Sequence, residues 1–167
     1  HAAFGGTGVV ADYESNDPTV IEAGSFPTAR VVGGWDFAGD AYDSGDGAAD
    51  VPQPDPDPLD CPRPDSSGHG THVASILGSG GVRADGTAYP GPYDDTLDFA
   101  GFEVAPGVAP AAELYALKVF GCGGSTSLVS LALEWAADPN EDGQLADRLD
   151  VVNLSLGSKF GLGSTSQ

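Results

Sequence analysis

The sequence predicts a layered α/β fold built around a parallel sheet, and three consecutive segments carry this prediction. Residues 112–120 are nearly all apolar, as expected of a parallel strand that is buried on both faces. A helix follows, because apolar residues recur there at the spacing of one helix face: Leu128, Leu131, Ala132 and Trp135. A second buried strand is predicted at residues 149–154. A strand, a helix and a strand at this spacing are typical of a right-handed βαβ unit.

The composition limits the classes of partner. A length of 167 residues is enough for one domain with a sizeable core. The net charge of -19 would repel nucleic acid and anionic membranes, so neither is an expected partner. No apolar run approaches the ~18 residues of a membrane span, and the N-terminus does not have the pattern of a signal peptide. We expect a monomer.

The first half of the chain contains fewer regular elements. Residues 8–13 are compatible with a short strand or a loop. A strand is predicted within residues 26–32 and is closed by Gly33-Gly34, after which residues 35–37 either continue it or turn into a loop. Residues 39–64 are predicted to be an acidic loop, in which alternating prolines favour an extended polyproline II conformation. This loop is either a calcium-binding apron or a solvated surface loop. Residues 78–102 are predicted to be another glycine-rich connection.

A histidine at the start of a predicted helix is the first candidate for chemistry. Ser66 and Ser67 are residue types that cap helices, and an apolar helix face follows at Val73, Ile76 and Leu77. His69 would lie in the first turn, where the positive end of the helix dipole disfavours a charged imidazolium ring. Gly68 and Gly70 flank it, which indicates close approach of another group to the backbone. His69 is either a general base or a residue that only caps the helix.

The stretch Gly68-His69-Gly70-Thr71-His72-Val73-Ala74 resembles the segment that carries the catalytic histidine in the subtilisin-like serine peptidases, or subtilases. The resemblance implies that His69 takes the proton of a nucleophilic serine and that His72 is a packing residue. The competing chemistry is a zinc site. Zinc histidines on one helix usually lie four residues apart, whereas these two lie three apart with no third ligand or glutamate nearby.

The resemblance extends over most of the chain. Residues 107–120 are similar to the subtilase strand that follows the histidine helix, and residues 121–127 and 151–157 resemble the two borders of the substrate channel. In the family, a substrate peptide lies between such borders as an added strand. The resemblance thus implies a three-layer subtilisin-like fold, incomplete over residues 1–167, and a peptide or protein substrate. The implied substrate-binding residues are Gly124, Ser125, Thr126, Leu128, Ser155, Leu156 and Gly157. For Leu128 and Leu156, plain core packing is the alternative.

Other parts of the family's catalytic machinery have no match here. The orienting aspartate of a subtilase is followed by Thr or Ser and then Gly, whereas Asp12 is followed by Tyr13 and Glu14. Residues 1–6 resemble the segment that comes after that aspartate, so we expect the chain to begin just past it, with Asp12 as a distorted equivalent the alternative. The oxyanion-binding asparagine and the nucleophilic serine are expected after Gln167.

A triad needs nucleophile, base and orienter within hydrogen-bond reach of one another, and this chain is expected to hold one of the three. The resemblance therefore implies a serine endopeptidase whose 167-residue piece is inactive alone. The alternative, from another class, is a non-catalytic, calcium-dependent module that binds a peptide or protein.

The two cysteines, Cys61 and Cys122, are expected to lie at the same end of the subtilase active site. The resemblance therefore implies a disulfide, which would close a loop of ~60 residues and contribute about 4 kcal/mol on the chain-entropy estimate. The alternative is two free thiols in a reducing compartment. We expect a secreted or cell-envelope protein.

A second metal candidate follows the predicted helix. Residues 138–143 fit D-x-N-x-D-G, the opening of a calcium loop of the EF-hand type. Leu149 stands where the motif has its closing glutamate, so Asp147 is the residue expected to complete a looser, structural calcium site. The predicted ligands are Asp138, Asn140, Asp142, Gln144 (through its carbonyl) and Asp147. The alternative is a simple acidic turn.

Overall fold

The computed structural model describes residues 1–61 and 68–157. The chain divides into two compact units, residues 1–132 and 133–167. The helices and strands, in chain order, are α1 (Val10–Ser15), β1 (Val31–Asp36), α2 (His69–Gly78), β2 (Val82–Arg83), β3 (Phe102–Val104), β4 (Leu114–Lys118) and α3 (Val129–Ala137). Strand β1 pairs with β4 in parallel, and β2 pairs with β3 antiparallel. The predicted α/β class, with an incomplete parallel sheet, is confirmed.

Strand β1 runs through the two glycines that were expected to end it. Gly34 has a φ of 153°, and a Cβ at this position would lie 2.1 Å from the carbonyl oxygen of Ala116. A Cβ on Gly33 would lie 2.5 Å from the ring of Tyr115. The glycines therefore mark close contact between β1 and β4, not the end of the strand.

A buried ion-pair group joins the ends of β1 and β4. Asp36 is fully buried, and its Oδ1 accepts hydrogen bonds of 2.8 Å from the amides of Ala38 and Gly39. The ammonium group of Lys118 lies 2.8 Å from Asp36 Oδ2 and 2.5 Å from Asp40 Oδ1. Burial lowers the pKa of Lys118, but the two carboxylates outweigh this effect and raise it. The start of the acidic loop is thereby fixed to the sheet.

Two other elements differ from the sequence predictions. Residues 10–15 form α1, where a short strand or a loop was expected. Residues 78–102 contain β2, which pairs with β3, a strand that begins at Phe102. The loop between the two strands is stabilised by aromatic contacts, because Tyr89 packs edge-on against Phe102 and its ring centre lies 4.7 Å from the guanidinium carbon of Arg83. Because the segment is rich in glycine, its sequence did not predict this antiparallel pair of strands.

The second predicted buried strand does not form. Residues 151–157 contain no helix or strand, and Val151 is 84% exposed. An apolar run becomes a strand only when another strand satisfies its backbone groups, and among the described residues none pairs with this segment. Helix α3 does form where predicted, although it buries Ala132 and Ala136 while Leu131 is 48% exposed. None of the helices in the described ranges is long and apolar enough to cross a bilayer.

Candidate active site

His69 is the first residue of α2 and its side chain is exposed. The N-cap is Gly68, in the left-handed conformation with a φ of 67°. The predicted caps Ser66 and Ser67 lie outside the described residues. With every described residue considered, the ring of His69 makes no hydrogen bond.

Two contacts hold the beginning of α2. The hydroxyl of Thr71 donates to Asp60 Oδ2 at 2.8 Å, so this carboxylate lies beside the first turn, where the helix dipole favours negative charge. The hydroxyl of Tyr13, on α1, donates to the carbonyl oxygens of Asp60 and Cys61 at 3.0 and 2.7 Å. The approach to the histidine helix is therefore anchored from α1.

The other end of α2 packs on the sheet and on the segment leading to β4. The amides of Gly107, Val108 and Ala109 donate to the carbonyl oxygens of Ser79, Ile76 and Leu77 at 2.8–2.9 Å. A Cβ on Gly78 would lie 2.9 Å from the side chain of Leu114, the first residue of β4. The predicted apolar face is less buried than expected, since Ile76 remains 55% exposed.

Cys61 and Cys122 form a disulfide with an S–S distance of 2.10 Å and a Cα–Cα distance of 5.5 Å, as the resemblance predicts. The bond attaches the chain just before the histidine helix to the first border, residues 121–127. The structure thus brings the histidine segment and one predicted border into the same region of the first unit.

No zinc site is found in the part of the chain that the structure describes. There, the one group of three His, Cys or acidic ligand atoms that lie within 4.8 Å of one another is Asp40, Cys61 and Cys122. The two sulfur atoms are consumed by the disulfide, so this group is not a metal site. Neither His69 nor His72 belongs to such a group.

Asp12, the alternative orienting carboxylate, makes no hydrogen bond to His69 or to any other histidine among the described residues. It lies exposed in α1 and accepts a 2.7 Å hydrogen bond from the hydroxyl of Thr7.

The first border is held by the acidic loop, a contact that the sequence analysis missed. The amide of Cys122 donates to the carbonyl oxygen of Asp40 at 2.8 Å, and the hydroxyls of Tyr42 and Ser127 lie 3.0 Å apart. Asp43 accepts hydrogen bonds from both the amide and the hydroxyl of Ser125. Gly124 and Ser125 are exposed, whereas Thr126 and Leu128 are half-buried. The acidic residues had no spacing that distinguishes a structural role from solvation, so only coordinates could reveal it.

The second border lies in the second unit, where Ser155, Leu156 and Gly157 are all exposed. The side chain of Asn153 donates to the hydroxyl of Ser155 at 3.0 Å. Leu156 is 39% exposed.

The candidate calcium loop folds back on its own amides. Asp138 accepts hydrogen bonds from the amides of Asp142 (3.2 Å) and Gly143 (2.8 Å), and Asn140 Oδ1 accepts from Asp142 at 2.9 Å. Asp142 accepts from the amide of Gln144 at 2.8 Å. Asp147 uses Oδ2 to accept from Asn140, while its Oδ1 is buried without a hydrogen-bond partner. The carboxylates of Asp138, Asp142 and Asp147 do not form a group in which one oxygen of each lies within 4.8 Å of both others.

The sequence was compared with family models and with curated proteins. Residues 7–167 match the family described as the subtilase family. Subtilisin Savinase of Lederbergia lenta is 38% identical over 96 residues, which cover 56% of this chain and 26% of that protein. An alkaline protease of Shouchella clausii is also 38% identical over 96 residues, or 18% of its length. Subtilisin DY of Bacillus licheniformis is 30% identical over 142 residues, which cover 83% of this chain and 35% of that protein.

No solved structure matches the chain significantly. The chain spans about a quarter or less of the length of the first two relatives. The family match, in contrast, covers nearly every residue. The chain belongs to the subtilase family.

Proposed function

We propose that this chain is the histidine-bearing part of a serine endopeptidase and that His69 is its general base. The observation that carries the proposal is an exposed imidazole on the first residue of α2 in a subtilase chain. In this role the ring accepts the proton of a serine hydroxyl as the oxygen attacks the peptide carbonyl. It then donates that proton to the leaving amine.

The substrate is a peptide or protein that pairs with the first border as an added strand, and residues 155–157 of the second border are proposed separately as substrate contacts. The exposure of Gly124 on the first border, and of residues 155–157 on the second, supports this proposal. Strand addition uses main-chain hydrogen bonds for affinity, so it suits borders rich in small residues. Leu128 and Leu156 are proposed to contact substrate side chains.

The orienting aspartate, the oxyanion-binding asparagine and the nucleophilic serine are proposed to lie outside residues 1–167. The short coverage of the curated relatives supports this proposal. The 167-residue piece alone should therefore cleave no peptide. Sequencing the flanking DNA discriminates a peptidase from the alternative, a non-catalytic module that binds a peptide or protein. Flanking Asp, Asn and Ser motifs that match the family indicate a peptidase, whereas degenerate motifs indicate a binding module.

The decisive test compares His69→Ala with His72→Ala in the full-length protein. Both variants remove an exposed imidazole from the same helix. His69→Ala should reduce kcat for a peptide substrate by a factor on the order of 10⁴–10⁶ and abolish labelling by a serine-directed phosphonate. His72→Ala should retain both activities at temperatures well below its Tm. Labelling of His69→Ala at the wild-type rate would falsify the base assignment.

The loop of residues 138–147 is proposed to bind calcium in a structural role. The unpartnered, buried Oδ1 of Asp147 and the alternation of side-chain oxygens support this proposal, although binding requires the loop to contract. Chelation should lower the Tm of the protein, and Asp142→Ala should reduce that response. Asp150→Ala removes an exposed carboxylate outside the loop and should respond to chelator as the wild type does. A Tm that chelator does not change contradicts calcium binding.

The protein is proposed to be secreted or to lie in the cell envelope. The disulfide supports this location, because such bonds persist in oxidising compartments. A relative from Bacillus subtilis, 33% identical over 96 residues, is named the minor extracellular protease Epr. Fractionation of the producing cells, followed by immunodetection, tests this proposal.

A further inference from the structure

The acidic loop and the first border are joined through one carboxylate. Asp43 Oδ1 accepts hydrogen bonds from the amide of Ser125 (2.9 Å), from the hydroxyl of Ser125 (3.0 Å) and from the amide of Gly45 (2.8 Å). The amide of Ser44 donates to the carbonyl oxygen of Ser125 at 3.0 Å. Both main-chain groups of Ser125 are therefore bonded to residues 43–44.

The neighbouring residues of the border remain available. Considering all described residues, the main-chain amides and carbonyls of Gly124 and Thr126 make no hydrogen bond. An added peptide strand needs such groups, and it needs them at fixed positions. The bonds at Ser125 hold the middle of the border and leave the residues on either side free to pair.

The carboxylate of Asp43 occupies the space that a side chain at position 124 would need. A Cβ on Gly124 would lie 2.1 Å from Asp43 Cγ, and the φ of Gly124 is 79°. Residue 124 is thus a glycine for two reasons, its conformation and the carboxylate beside it.

The bonds to Asp43 favour its charged form. Hydrogen bonds from the amide of Ser125, then from the amide of Gly45 and the hydroxyl of Ser125, lower the pKa of Asp43. The carboxylate therefore keeps its acceptor role across the neutral and alkaline range.

We propose that Asp43 is a positioning residue for substrate, which holds Ser125 so that Gly124 and Thr126 present their main-chain groups to an extended peptide. This inference rests on the peptide-binding role proposed above. It predicts that Asp43 controls affinity for peptides long enough to run along the border, and that it does not affect ligands of one residue.

The test measures binding of acetyl-tetraalanine amide and of acetyl-alanine amide to the full-length protein, by NMR titration or calorimetry. Asp43→Ala should weaken binding of the tetrapeptide about tenfold and leave binding of the single-residue ligand unchanged, since only the tetrapeptide spans the border. Asp43→Asn keeps an acceptor oxygen and should recover most of the loss. Asp46→Ala is the matched control, because this carboxylate lies on the same loop and, among the described residues, bonds only to the amide of Ala48.

Hydrolysis is measured separately, with peptide substrates of one and four residues that share a leaving group. In Asp43→Ala, KM should rise for the longer substrate while kcat for the shorter one is retained. If the wild type binds the tetrapeptide but hydrolyses nothing, the proposed catalysis fails and the positioning role is still decided by binding. The inference is overturned if Asp43→Ala binds the tetrapeptide as the wild type does, if the tetrapeptide does not bind the wild type, or if both ligands lose affinity equally.

Discussion

Asp57 should make the folded protein less stable as the pH rises from about 4 to 6. Its side chain is 3% exposed, and its Oδ2 is buried without a hydrogen-bond partner. Glu22 also has a buried, unpartnered oxygen, Oε2. Burial, followed by the charges of Glu22 and Asp55, raises the pKa of Asp57 to about 6. Ionisation of Asp57 therefore destabilises the folded state relative to the unfolded state.

The sign of the effect follows from proton counting. An unfolded aspartate has a pKa of about 3.9, so between the two values the folded chain binds more protons than the unfolded chain does. The free energy of unfolding therefore falls with rising pH through that window and stays reduced above pH 6. At 1.36 kcal/mol per pKa unit, the loss is roughly 3 kcal/mol at most. Asp57→Asn keeps the oxygen that accepts from the amide of Leu59 but carries no charge.

Urea unfolding at pH 4, 5, 6 and 7.5 measures this loss directly. Asp57→Asn should gain about 2–3 kcal/mol over the wild type at pH 7.5, and the gain should shrink towards zero at pH 4. Any lost negative charge relieves some repulsion in a chain of net charge -19, so Asp50→Asn, at an exposed position, is the control. A gain for Asp57→Asn no larger than that of Asp50→Asn refutes the reasoning, as does a gain that is the same at every pH.

Two further stability changes follow from the packing. Gly34→Ala should destabilise the protein by about 3 kcal/mol or more in urea unfolding, because its Cβ would lie 2.1 Å from the Ala116 carbonyl oxygen. Gly47→Ala, with open space around its Cβ, should be nearly neutral, and equal losses in the two variants contradict the close-contact argument. Cys122→Ser should cost about 4 kcal/mol under oxidising conditions, since the bond joins residues that are 61 apart. The loss should vanish in reductant, and a loss that persists there must come from packing.

Signals confined to one short segment predicted the structure well. The glycine–histidine stretch predicted a helix start, and α2 begins at His69 itself. The apolar run at residues 112–120 contains β4, and the predicted helix coincides with α3 over residues 129–135. Each of these elements is specified by periodicity or by residue types within about ten positions. The class of fold and the location of the candidate base could therefore be obtained from the sequence.

Features that depend on a distant partner could not be predicted in this way. Gly33-Gly34 looks like the end of a strand until the backbone of β4 is placed against it. Residues 149–154 have the composition of a buried strand, but the composition does not supply the neighbouring strand that would pair with it. The sequence pattern of a segment shows that it would need a pairing strand, but whether such a strand lies beside it depends on the rest of the fold.

The acidic residues show the same limit most clearly, because one residue type performs opposite roles in adjacent parts of the loop. Asp40 is paired with Lys118, Asp43 binds Ser125, and Asp57 is buried with an unpartnered oxygen. Composition assigns all three to a solvated acidic loop. Their neighbours give them different roles. Asp40 links the loop to the sheet, Asp43 supports the candidate substrate border, and Asp57 lowers the free energy of unfolding as the pH rises. The net charge therefore determines the long-range attraction of the protein for cations and its repulsion of polyanions. The role of each carboxylate depends instead on the hydrogen-bond donors and charges next to it.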